Sequence, residues 1–452
     1  MCTMRRPTLA GLLLAMALVP VLSSAQLVGR MEDNREQELA EMVSKSPVFA
    51  KGFTGFTLYD PTTQAYLHSQ HADMFFTPAS NTKILTLLAS VKVLSNGMPL
   101  VFYVSSRDTL WCWGTGYPML LHPDFQGVDV LLDWLKARPE GTIVLSDAHF
   151  MTPRFGEGWS WDDYVAGYQY DRADFPIYGN RVVWKKGVSN LPTAIPRYFD
   201  QTLVYRQEIN GNTPVIDREE TANVFYFGQG AVNKSALWEK VPFHYSVQLA
   251  AQLLSDTLQR NVISSRRPLP RKGQYEVVRQ PVPDTLYRKM MQSSDNFLAE
   301  QLLLMASAER YGIISIDRIL TYATDTLLRN LPAATAWVDG SGLSRYNQLT
   351  PRGLTQVLEQ LNQQLDPELL RSLFAIGGRA GTIRNIYAGP GGKPFVYAKT
   401  GTLRNVHCLS GYVLTQTNRL LIFTFMHNNF PQPIDELKLE MNRILRWIHD
   451  AY

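Results

Sequence analysis

The sequence predicts a mixed α/β chain of the α+β kind: one sheet flanked by helices, with a helical subdomain and a strand-rich insertion in the middle. Three observations predict it. Strand-like runs stand near both ends of the chain, in "FTGFTLYD" and "AYLHSQ" and again in "FVYAKTG", "VHCLSGYVLTQ" and "RLLIFTFMHNN". Helical periodicity fills the stretches beside them. The middle has a different texture, with short strands, many aromatics and turn pairs. A sheet completed by both termini, interrupted by an insert, accounts for all three.

In chain order, residues 1–25 read as a signal peptide. Arg5 and Arg6 give a positive start, "LAGLLLAMALVPVL" is an apolar run of secretory length, and "SSA" ends at Ala25 with small residues. The run is short for a membrane span and is broken by Pro20. An uncleaved anchor is the other reading. Residues 36–50 then predict a helix, and "PTTQ" a turn between the first two strands. From Ser80, "SNTKILTLLASVKVL" carries apolar residues at helical spacing, with Ser80 placed as a cap. Residues 100–265 form the strand-rich insert, with room for two small domains, and "ISSRRPLPRKG" reads as the linker back. Residues 26–99 and 266–452 make up the main domain. Within it "DTLYRKMMQSSDNFLAEQLLLMASAE" and "PRGLTQVLEQLNQQL" are helical, the last three strands form a meander, and "IDELKLEMNRILRWIHDA" closes the chain as an amphipathic helix.

At 452 residues the chain supports more than one core, and its 19% charged and 45% hydrophobic residues are an ordinary globular mixture. The formal net charge of +4 is small for this length and argues against a dedicated nucleic-acid binder. Cleavage after Ala25 would leave about +2, together with Cys112 and Cys408. Those two cysteines either pair in an oxidising compartment or sit as buried small hydrophobes. No zinc-type spacing and no phosphate-cradling loop is present, so neither metal nor cofactor is expected. Oligomeric state and peripheral membrane association are left open.

Three short elements carry chemistry: Ser80-x-x-Lys83, Ser294-Asp295-Asn296 and Lys399-Thr400-Gly401. Each alone is weak; a serine can cap a helix and a lysine can be a solvated strand-edge charge. Together, in this order and in these contexts, they are a strong signal. One helical turn brings Lys83 to Ser80, where a lysine kept neutral by burial, the helix dipole and a second cation could take the serine proton. Ser294 can relay that proton to a leaving amine, and Asn296 can hold Lys83 or the substrate amide. Lys399 and Thr400 offer a charge and a hydroxyl to a substrate carboxylate. Gly401 would let a substrate lie against the strand with no side chain in the way. The N–H groups of Ser80 and Thr402 would form an oxyanion hole.

These are the motifs of penicillin-binding proteins and serine β-lactamases. The chain further resembles the low-molecular-mass class C penicillin-binding proteins, the D-alanyl-D-alanine carboxypeptidase/endopeptidase family. "PASNTKILT", "SSDNFLAEQLL", "DGSGLSRYNQLTPRGL", "GGRAGTIRN" and "AKTGTLRNVHCLSGYV" match that family's pattern in order. Ser294 lies 214 residues beyond Ser80, a spacing that implies the large insert typical of the family. "LWCWGTGYPML" and "GEGWSWDDY" resemble that insert, although Gly116-Tyr117-Pro118 stands where Gly-Asp-Pro is usual. The resemblance implies a DD-peptidase/β-lactamase-like fold with the site in a cleft between sheet and helical subdomain. It implies stem peptides of peptidoglycan as substrate, β-lactams as covalent inhibitors, an acyl-enzyme on Ser80 and an extracytoplasmic location. It also implies that Asp163 and Tyr168, with Leu403 two residues past the Lys-Thr-Gly triplet, line a pocket for the third residue's side chain. The competing readings are a serine β-lactamase, which needs a deacylating base, and a non-catalytic penicillin-binding scaffold.

Overall fold

A computed structural model describes residues 24–127, 129–187, 191–209, 215–329, 331–332 and 334–452. The expected signal peptide, apart from its last two residues, lies outside the described residues. Six antiparallel strands form the main sheet, in the order Ala375–Ile376, Val396–Leu403, Val406–Leu414, Leu420–Asn428, Phe53–Asp60 and Ala65–Gln70. Both ends of the chain therefore build one sheet. The join is the pairing of Phe53–Asp60 with Leu420–Asn428, in which Phe56 faces Phe425 with ring centroids 4.0 Å apart.

Alternation along these strands produces two cores. One face of the sheet packs on the first helix, Ser24–Ser44, and the last, Ile434–Ala451, through Leu39, Val43, Phe423, Phe425, Met441, Ile444 and Leu445. The helix expected over residues 36–50 ends at Ser44, because Pro47 disfavours helical geometry in the residue before it. The opposite face packs on the helix Pro351–Gln364 and on the turn Ala79–Asn81, and the helix Thr82–Val93 packs on Pro351–Gln364. The helix Asn296–Tyr311, nearly all of it buried, stacks behind Thr82–Val93 as the axis of the helical subdomain.

The middle of the chain builds a five-stranded mixed sheet in the order Asn261–Ser265, Thr142–Ser146, Thr109–Gly114, Met98–Ser106 and Glu276–Gln280. Two three-stranded sheets accompany it. The strand Glu276–Gln280 lies beyond residue 265, where the sequence pattern ends the insert. It returns to pair with Met98–Ser106 across an intervening stretch of chain that no local periodicity can encode. Cys112 and Cys408 are both free and buried, one in the insert's sheet and the other in the main sheet. Among the described residues no helix is long and apolar enough to cross a membrane.

Candidate active site

The three motifs converge at one end of the main sheet. Ser80 does not cap the helix. It sits in a tight 3₁₀ turn, Ala79–Asn81, and the α-helix proper begins at Thr82 with no side-chain cap. Ala79 is held at φ 47°, an uncommon conformation for a residue with a Cβ. The turn is clamped against the Lys-Thr-Gly strand, where Asn81 Nδ2 donates to the carbonyl of Lys399 at 2.9 Å. A Cβ on Gly401 would lie 2.4 Å from the Pro78 carbonyl oxygen. Gly401 is therefore glycine because the strand packs on the nucleophile turn. The expectation that it clears space for substrate is corrected: the direction its side chain would take is already filled by protein.

Lys83 is fully buried and donates to three acceptors: Ser80 Oγ at 2.9 Å, Asn296 Oδ1 at 2.6 Å and the Ser341 carbonyl at 2.5 Å. Burial pulls its ammonium down to about 8, partly opposed by the carboxylates of Asp339, Glu300 and Asp295. Lys399 is also fully buried and donates to Ser294 Oγ at 2.8 Å and to the Thr400 carbonyl at 2.7 Å. Burial first and the charge of Lys83 second push it well below the ordinary lysine value. Two chains of contact thus meet in one place, Ser80–Lys83–Asn296 and Ser294–Lys399.

Ser294 and Asn296 share a bend between the helices Asp284–Gln292 and Asn296–Tyr311. Asp295, the middle residue of its motif, caps the second helix by accepting from the N–H of Leu298 at 3.1 Å. Ser294 is held at φ 60°, a strained conformation of the kind that persists where the surroundings over-determine it. Thr400 is half-buried and donates to Thr382 Oγ1 at 2.8 Å, and Thr402 Oγ1 lies 3.0 Å from His407 Nδ1.

In front of these groups opens a cavity of about 450 Å³. Ser80, Ser294, Asn296 and Thr402 line one wall, and Asp163, Tyr168 and Leu403 line it too. The insert thus reaches the cleft, and Asn296 Nδ2 donates to the main-chain carbonyl of Tyr168 at 2.9 Å. The Tyr168 hydroxyl is pushed up to about 12, by burial and then by its hydrogen bond to Asp163. Three groups were not singled out from the sequence. Arg345 and Arg404 bring two cations to the cavity that Asp163 also lines. Ser341 supplies the third acceptor of Lys83. Its setting, "DGSGLSRYN", was legible as a motif, but a main-chain carbonyl leaves no mark in residue type.

The geometry has counterparts among known proteins. Residues 35–449 match the model of the D-Ala-D-Ala carboxypeptidase 3 (S13) family. The chain belongs to that family. It is 24% identical over 338 residues to the D-alanyl-D-alanine carboxypeptidase DacB of Haemophilus influenzae, covering 69% of this chain and 70% of that one. It is 23% identical over 474 residues to the D-alanyl-D-alanine carboxypeptidase of Actinomadura sp., covering 94% and 87%. The crystal structure of penicillin binding protein 4 from Haemophilus influenzae superposes with a TM-score of 0.68 at 19% identity, over 91% of this chain and 98% of that one. The same protein complexed with a novel β-lactam superposes with a TM-score of 0.65. The family member described here is a peptidase, a hydrolase of D-alanyl-D-alanine ends.

Proposed function

We propose that Ser80 is the nucleophile of this carboxypeptidase, and that Lys83 is its general base. One observation carries the reading. A neutral lysine has two N–H groups, and two fixed acceptors, Asn296 Oδ1 and the Ser341 carbonyl, stand ready for them. The lone pair is then left facing the Ser80 hydroxyl, 2.9 Å away. Ser80 Oγ attacks the carbonyl of the terminal D-Ala–D-Ala bond as its proton passes to Lys83. The proton reaches the departing amine through Ser294, whose hydroxyl is oriented by Lys399. Terminal D-alanine leaves; water then adds to the ester as Lys83, neutral again, takes its proton and returns it to the departing Ser80 oxygen. Lys399, with Thr400, receives the substrate's carboxylate, and the main-chain N–H groups of Ser80 and Thr402 face the oxyanion.

Asp163 and Tyr168 bind the free amine on the third residue of the stem peptide, with Leu403 beneath it. Their place in the same cavity as Ser80 supports this, as do Arg345 and Arg404, which suit a carboxylate on that side chain. In a cross-link the fourth D-alanine is joined to the third-residue amine of a neighbouring stem, and that amine would leave in place of terminal D-alanine, so DD-endopeptidase action belongs to the same proposal. A β-lactamase is disfavoured by the carboxylates near Lys83. Asp295 caps a helix, and Glu300 and Asp339 are buried and occupied by main-chain and side-chain donors. None is placed to activate a deacylating water.

β-Lactams acylate Ser80 covalently in this reading. Export rests on Arg5, Arg6, the apolar run and "SSA", with the mature chain beginning at Gln26 outside the cytoplasmic membrane. The test is incubation of purified protein with defined muropeptides. Mass analysis is expected to show loss of terminal D-alanine with wild type and none with Ser80→Ala. D-Alanine release by Ser80→Ala at the wild-type rate would refute the assignment.

A further inference from the structure

The third acceptor of Lys83 is a main-chain carbonyl, and the two peptide units around it are pinned at four points. The Gly340 carbonyl accepts from Thr86 Oγ1 at 2.7 Å. The Ser341 N–H donates to Glu300 Oε1 at 2.7 Å. The Ser341 carbonyl accepts from Lys83. The Gly342 N–H, in the same peptide unit as that carbonyl, donates to Asp339 Oδ1 at 2.9 Å. Gly342 has φ +80°, and a Cβ there would lie 2.0 Å from the Ala79 carbonyl oxygen, so the loop presses directly on the nucleophile turn.

The two carboxylates are themselves held: Asp339 accepts from the Ser344 N–H at 2.8 Å and from Asn347 Nδ2 at 2.8 Å in its own loop, and each carboxylate also takes a donor from the insert. Glu300 Oε2 accepts from Arg172 Nε at 2.8 Å, with Arg172 Nη2 2.7 Å from the same oxygen; both side chains are almost fully buried. Asp339 Oδ2 accepts from Trp159 Nε1 at 2.9 Å. The Arg172 guanidinium lies over the Trp159 ring, 5.1 Å from its centre. Neither residue lines the cavity in front of Ser80.

We infer that Trp159 and Arg172 are positioning residues for the general base: through Asp339 and Glu300 the insert fixes the Ser341 carbonyl that aims the Lys83 amine at Ser80. The inference rests on the reading of Lys83 as base. It gives the insert a part in the chemical step as well as in substrate choice. A loose Ser341 peptide lets the amine rotate, and misplacement of a catalytic group by about 1 Å can cost about a hundredfold in rate.

The test uses two variants of the full chain and a fluorescent penicillin. Trp159→Phe removes the N–H together with the five-membered part of the indole, and leaves a smaller aromatic ring under Arg172. Arg172→Met removes the cation and keeps most of the volume. Acylation is followed over a range of penicillin concentrations, which separates the dissociation constant of the first complex from the acylation rate constant. Trp159→Phe is expected to lower the rate constant roughly tenfold, the scale of one hydrogen bond to a charged group, with the dissociation constant within about twofold of wild type. Arg172→Met is expected to lower it further. Should Arg172→Met fail to fold, Trp159→Phe decides alone. An unchanged rate constant in folded Trp159→Phe overturns the inference, and so does an effect confined to the dissociation constant. Lys83→Ala serves as control: if it is acylated as fast as wild type, the reading of the base falls instead.

Discussion

Acylation of Ser80 should rise with pH through the titration of Lys83. The base works only as the free amine, so the fraction neutral sets the rate. With the ammonium at about 8 in place of 10.5, roughly one Lys83 in ten is neutral at pH 7, against about one in three thousand for an unperturbed lysine. Burial therefore contributes roughly 300-fold in available base, before the loss of basicity is counted. The sign follows from the direction of the shift. The reactive form is the deprotonated one, so the rate constant climbs as pH rises from 6, gains about tenfold between pH 7 and the plateau, and levels off above pH 9. The assay is the acylation rate constant for a fluorescent penicillin at saturating concentration, measured from pH 6 to 10, so that weaker binding of the penicillin carboxylate as Lys399 loses its proton does not enter. A rate constant that is flat from pH 6 to 9, or that falls through pH 8, would refute the assignment of Lys83. In Lys83→Ala the residual rate should be lower by about a hundredfold or more and lack this limb.

Gly401→Ala should force the strand away from the Pro78–Asn81 turn, costing about 1–3 kcal/mol of stability in urea unfolding and lowering acylation together with it. Asp295→Ala should cost about 1 kcal/mol in the same measurement through loss of the helix cap, with acylation reduced because Ser294 and Asn296 flank it. Asp163→Asn should weaken kcat/KM for amine-bearing stem peptides about five- to a hundredfold and spare simple N-acylated D-Ala-D-Ala, as expected of a charge-assisted hydrogen bond in an open cleft. Equal losses on both substrate classes would make Asp163 structural, and no loss on either would remove it from the site.

How much of this was legible in the sequence depends on how local the signal is. Ser80 and Lys83 stand one helical turn apart, so their contact follows from helix geometry, and the period-2 runs at both ends announced the sheet that holds Lys399. The strand Glu276–Gln280 was not legible, since it is short, flanked by prolines at 281 and 283, and defined by a partner far away in the chain. Gly401 was legible as a necessary glycine, but its reason lay in the Pro78 carbonyl, a main-chain atom of another element. The support behind Lys83 was invisible for the same cause. Trp159, Arg172, Glu300 and Asp339 come from three separated segments, and the group they position is a carbonyl, which every residue has. Side-chain chemistry at short spacing can be read from residue types; a shell of main-chain atoms assembled by tertiary contact cannot.

The central claim is that one hydroxyl, Ser80 Oγ, becomes covalently bound in the reaction. The most direct measurement is intact-mass analysis of the protein after brief exposure to penicillin, followed by peptide mapping of the adduct. One equivalent of adduct is expected on the peptide containing Ser80, and none in Ser80→Ala that remains folded. An adduct of full stoichiometry on any other residue, or one that persists in Ser80→Ala, would contradict it.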